Sequence, residues 1–126
     1  DFCAISLSDL LTPWSVIEKR IKAATESDFV IALYNPASGR RRNQLVKTIE
    51  IIKQGRGPQT PVIIGRSLGR PEEKLEIMDI QDFEPDSVDM LSIVIVGSTQ
   101  TKTFRGRVFT PRGYLIKKNL NEIHPK

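Results

Sequence analysis

The stretch Met90 to Gly97, "MLSIVIVG", constrains the fold of this chain more than any other. Its apolar run is almost continuous, where a strand with one wet face would alternate. It predicts a central strand with both sheet faces covered. Asp28 to Tyr34, "DFVIALY", and Pro61 to Arg66, "PVIIGR", predict two more buried strands. Between them Leu45, Ile49 and Ile52 recur at helical spacing, predicting a helix from about Arg41 to Gln54. Gly55-Arg56-Gly57-Pro58 would end that helix, with glycine accepting the left-handed conformation and proline blocking continuation. Thr12-Pro13 predicts an earlier helix start, capped by the threonine and running to about Ala24. Strand, helix and strand in succession imply neighbouring parallel strands joined by a right-handed crossover. Lys74 to Ile80 is read as a strand, though a helical spacing would pair Leu75 with Met78. A short helical turn is expected at Glu84-Pro85-Asp86 and a short edge strand at Arg107 to Thr110. The expected fold is α/β.

With 126 residues and 39% apolar content, the chain has the size of one domain. No window approaches the roughly 18 apolar residues of a membrane span, and no signal-like start is present, so a soluble, cytoplasmic chain is expected. It begins with Asp1 rather than Met, and Phe2-Cys3-Ala4-Ile5 reads as strand, which suggests a piece of a larger product. Cys3, the single cysteine, fits a reducing compartment and a small core role, since the one histidine, His124, lies in a polar tail. The net charge of +4 is unevenly spread. Arg40, Arg41 and Arg42 form one basic cluster, Arg105 to Lys118 a longer one, and acidic residues fill Glu72 to Asp89. Such a pattern steers a polyanion or simply keeps the molecule in solution.

Four turns follow expected strands: Ser6 to Asp9, Asn35 to Gly39, Ser67 to Gly69, and Gly97 to Thr101. In a mostly parallel sheet they would converge on one crevice. Familiar signatures are absent: no HExxH, no metal-spaced Cys/His set, no phosphate-loop spacing after Gly97, and no GxGxxG after a strand. No metal site is therefore expected. Asp9 and Asn35 suit either a local turn or a polar ligand, and Pro36 biases Asn35 away from helical geometry. Three arginines at a helix start oppose the helix dipole and invite a compensating carboxylate or phosphate. Nucleic acid is disfavoured as that partner, because Tyr34, Phe104, Phe109 and Tyr114 are scattered rather than interleaved with the charge.

Taken together, "DFCAISLSDLLTPW", "DFVIALYNPASGRR", "TPVIIGRSLGRPEE", "DMLSIVIVGSTQT" and "TPRGY", in this order, resemble the carboxyl-terminal portion of the tetrapyrrole methylase family. The likeness falls in its branch acting at C17 of precorrin-3B. It implies a three-layer, mixed, mostly parallel sheet like the family's second domain. Residues 1–14 would be the junction with a missing amino-terminal methylase domain, 15–114 the α/β domain and 115–126 a polar basic tail. It further implies S-adenosyl-L-methionine as cofactor and methylation with ring contraction in cobalamin biosynthesis. The substrate would be precorrin-3B or its cobalt-containing counterpart, and the full-length protein a homodimer, with this fragment inactive alone. By position, Leu33, Tyr34, Asn35, Ser67, Leu68, Val96, Gly97 and Ser98 would border the cofactor. Ser6, Asp9, Thr12, Arg40 and Arg41 would face the substrate. Where the family often reads Gly-Arg-x-Gly-Glu, this chain has Gly69-Arg70-Pro71-Glu72. The competing functional classes are a noncatalytic interaction or regulatory domain on the same scaffold and a polyanion-binding domain.

Overall fold

The computed structural model describes residues 1–37 and 42–112. The expected tail at 115–126 lies outside them. Five strands build one sheet: β1 (Phe2–Ser6), β2 (Val30–Tyr34), β3 (Pro61–Arg66), β4 (Lys74–Asp79) and β5 (Ser92–Val96). Helices α1 (Trp14–Glu26) and α2 (Asn43–Gly55) follow β1 and β2 respectively. Short 3-10 turns at Ile80–Asp82 and Pro85–Ser87 carry the chain from β4 to β5. A separate hairpin pairs β6 (Lys102–Phe104) with β7 (Arg107–Phe109). The edge strand expected near Arg107 therefore forms, but not in the main sheet.

The sheet order is β1-β2-β5-β3-β4. Only β1 and β2 pair in parallel; β5 runs antiparallel to both β2 and β3, and β3 is antiparallel to β4. This overturns the mostly parallel sheet. An apolar strand carries no mark of its direction, and β2 and β3 do run the same way across α2. The correction is that β5 lies between them.

Parity along the strands separates two faces. Ile31, Leu33, Val62, Ile64, Val94 and Val96 are fully or almost fully buried and join one core with Ile17 and Ile21 of α1 and Leu45, Ile49 and Ile52 of α2. The alternate residues Ala32, Ile63 and Ile95 are only half-buried. Both described helices thus cover one face, giving two layers where three were expected. The predominance of Val and Ile at the half-buried positions hid this asymmetry.

Local details also differ from the sequence reading. Helix α1 starts with Pro13 in the capping position, extended at ψ 142°, and no side chain caps it; Thr12 is one residue too early. The free Pro13 carbonyl instead accepts from the Val16 and Ile17 amides, at 3.0 and 3.4 Å. Gly55 is not left-handed. A Cβ there would sit 2.6 Å from the Thr25 methyl, so its glycine serves the close approach of α2 to α1. Arg42 finds its own carboxylate, donating to Asp86 Oδ1 at 3.2 Å and to the Asp86 carbonyl at 3.1 Å.

Candidate functional site

Because β5 is reversed, the carboxyl ends of β1, β2 and β3 meet the amino end of β5 at one edge of the sheet. A recess of about 310 Å³ opens there, lined by Tyr34, Asn35, Gly65, Ser67, Leu68, Arg70, Met90, Leu91, Ser92 and Ile93. Tyr34, Gly65 and Ile93 belong to the less covered face of the sheet.

Two residues at its mouth are left-handed, Asn35 with φ 49° and Ser67 with φ 50°. Asparagine tolerates this conformation, whereas serine gives up about 1 kcal/mol or more, so the surroundings must impose it. They do. The Ser67 amide donates to the Leu91 carbonyl at 3.0 Å, and the Ser67 carbonyl accepts from the Arg70 amide at 3.1 Å. The Gly69 amide donates to Glu73 Oε1 at 3.0 Å. On the facing side Asp89 clamps the start of β5, accepting from the Leu91 amide at 2.9 Å and from Ser92 Oγ at 3.0 Å. Arg66 holds the other Asp89 oxygen at 2.7 Å.

A second recess of about 580 Å³ lies beside the first, lined by Ser6, Ser8, Leu10, Leu11, Thr12 and Arg20. Leu10 and Leu11 are 77% and 99% exposed, unusual for adjacent leucines on a folded surface. The two recesses share a partition. Asn35 Nδ2 donates to Ser6 Oγ at 3.2 Å, and Ser6 Oγ also accepts from the Ser8 amide at 3.3 Å. Asp9 does not line this recess; its Oδ2 accepts from Gln44 Nε2 at 2.8 Å, tying the loop to α2.

The opposite end of the sheet is built differently. The Arg56 guanidinium, with no exposed side-chain surface, donates to the Gly97 carbonyl and to the Phe29 carbonyl at 2.8 Å. Its Nε lies 3.6 Å from Asp28 Oδ1. Burial pulls this guanidinium below its usual range, with Asp28 and then Cys3 favouring the charged form. Asp28 also accepts from the Thr99 amide at 2.8 Å and from the Thr99 hydroxyl. The Ser98 amide donates to Thr101 Oγ1 at 2.8 Å.

Of the residues expected around the cofactor, Tyr34, Asn35, Ser67 and Leu68 therefore come together. Leu33 points into the helix-covered core, and Val96, Gly97 and Ser98 occupy the far end, where the Gly97 carbonyl accepts from Arg56. Ser6 and Thr12 share the second recess; Arg40 and Arg41 lie outside the described residues. Gly65, Arg70 and the start of β5, which line the first recess, and Arg20, which lines the second, were not among the site residues the sequence singled out. A reversed β5 would have pointed to Met90 to Ile93 instead of Val96 to Ser98. Among the described residues no three His, Cys, Asp or Glu side chains gather as a metal site, and no helix is long and apolar enough to cross a membrane.

Fold and recess define an α/β domain with a crevice at strand ends, and comparison with known proteins makes the class specific. No family model matches the chain. The "Probable cobalt-factor III C(17)-methyltransferase" of Salmonella typhimurium is 48% identical over 116 residues, covering 92% of this chain and 48% of that protein. The "Precorrin-3B C(17)-methyltransferase" of a Sinorhizobium species is 44% identical, covering 90% and 47%. The "Cobalamin biosynthesis protein CbiHC" of Archaeoglobus fulgidus is 47% identical, covering 97% and 27%. The crystal structure of the methyltransferase CobJ superposes with a TM-score of 0.83 at 36% identity, covering 88% of this chain and 46% of that one. The chain belongs to the tetrapyrrole (precorrin) methyltransferase family, among homologues that include the precorrin-3B and cobalt-factor III C17-methyltransferases. It spans about half the length of the Salmonella and Sinorhizobium proteins, 48% and 47%, and 27% of the Archaeoglobus one.

Proposed function

We propose that this chain is one domain of an S-adenosylmethionine-dependent methyltransferase acting at C17 of precorrin-3B or its cobalt-containing counterpart, in cobalamin biosynthesis. A further methylase domain would complete the crevice, and the whole protein would work as a homodimer. The observation that carries the reading is the recess at the strand ends, preorganised by two left-handed residues in a chain this similar to such enzymes.

The residues present fit an adenosyl group. Tyr34, Leu68, Leu91 and Ile93 offer apolar and aromatic wall, while Asn35, Ser67 and Arg70 place polar groups around the rim. S-Adenosylmethionine, when bound, supplies an electrophilic sulfonium methyl group. The work of this domain is to hold and orient ligand in a shape set before binding, which lowers the entropy loss of alignment. The second recess suits the macrocycle, with Leu10 and Leu11 against its apolar surface and Arg20 beside its carboxylates. Arg40 and Arg41 are proposed as further carboxylate partners.

The test is calorimetric titration of the full-length protein with S-adenosylmethionine, repeated with Tyr34→Ala. Binding at micromolar concentration, weakened roughly tenfold by the substitution, is expected. A folded full-length protein that does not bind the cofactor would sink the reading.

A further inference from the structure

We infer that Leu68 is the size gate of the strand-end recess, and that Gly65 sets how deep the gate sits. Resting on the adenosyl reading of that recess, the inference names the residue pair that determines how large a ligand it admits.

Gly65 interrupts a strand that is otherwise branched and apolar, "PVIIGR". Its φ is not positive, so no turn requires a glycine there. The reason lies above it. A Cβ at Gly65 would stand 2.9 Å from Leu68 Cδ1 and 3.2 Å from both Cδ2 and Cγ. The Leu68 side chain folds back over strand β3 and occupies the space that a larger residue would take.

The intervening turn is constructed to do this. Ser67 is held left-handed by the Leu91 carbonyl, which reverses the chain immediately before Leu68. Gly69, also left-handed at φ 79° and tied to Glu73, reverses it again immediately after. Core burial does not explain the arrangement, since Leu68 remains 49% exposed. A strained turn that seats a half-exposed leucine on a glycine, beside a recess, controls the width of that recess. The ligand class is a flat heteroaromatic base on a ribose, with the base edge nearest Leu68 limited in bulk.

The experiment uses the full-length protein, with S-adenosylhomocysteine and its N6-benzyl analogue as probes. Gly65→Ala should lift Leu68 into the recess and weaken S-adenosylhomocysteine about tenfold; adding Leu68→Ala should restore binding to within about threefold of wild type. Leu68→Ala alone should improve the ratio of N6-benzyl analogue to parent affinity by about tenfold. Leu68→Trp leaves strand β3 untouched and should weaken the parent ligand, which covers the case of a Gly65→Ala protein that does not fold. Restoration failing in the double variant, or Leu68→Trp binding like wild type, overturns the gate while leaving the cofactor reading intact. Wild-type protein that binds neither probe overturns the cofactor reading and the gate with it.

Discussion

The two ends of the sheet divide its labour. At the recess end, Tyr34 and Leu68 stay about half exposed, each next to a left-handed residue, Asn35 and the buried Ser67. At the other, a fully covered guanidinium ties Phe29, Asp28 and Gly97 together across β2 and β5. Preorganisation for a ligand leaves polar groups available, whereas a lock between elements consumes them.

The sharpest way to break this contrast is at Arg56. Arg56→Met should cost about 3 kcal/mol or more in denaturant unfolding, because it strands buried carbonyls and leaves Asp28 without its cation. A loss below about 1 kcal/mol would mean the lock is ornamental. Next in size is Gly97→Ala, whose Cβ would approach Thr101 to between 2.7 and 2.8 Å. About 1–3 kcal/mol of destabilisation is expected from such overpacking, read as a lowered Tm. A matched pair then probes both ends. Ser98→Gly loses the hydroxyl that accepts from the Gln100 amide and should cost about 1 kcal/mol, while Ser67→Gly relieves a left-handed serine and should hold or raise Tm.

The smallest effect concerns pH. Burial raises the Cys3 thiol, outweighing the opposing pull of Arg56. The folded protein therefore keeps this proton to higher pH than the unfolded chain does, so the thiol's contribution is present below the unfolded pKa and is lost as pH rises through the folded one. Cys3→Ala should flatten the alkaline slope of stability; an unchanged slope would assign it to other groups.

Much of this molecule was legible in its residues. The strands around Ile31, Ile64 and Val94, the strand at Leu75 and the helix through Ile49 all stand where periodicity placed them, within a few residues. Direction was not legible, because an apolar run has the same period whichever way it points. That single ambiguity grouped Val96, Gly97 and Ser98 with Tyr34 and Ser67, whereas they stand at the opposite end of the sheet and Met90 to Ile93 line the recess instead. Arg56 was read as helix punctuation between two glycines, and nothing in local spacing announces that a surface-type cation will be swallowed by a neighbouring strand end. The pairing of Gly65 with Leu68 escaped notice for the same reason: it depends on where a turn sends a side chain.

The position of β5 between β2 and β3 also bears on how the domain is made. As the chain leaves the ribosome, β1 with β2 and β3 with β4 can form only two separate ribbons, and neither ribbon touches the other through backbone hydrogen bonds. The strand that welds them is the last of the five to be synthesised. Nascent chains halted before Ser92 should accordingly remain protease-sensitive, and resistance should arrive abruptly once Val96 has cleared the exit tunnel.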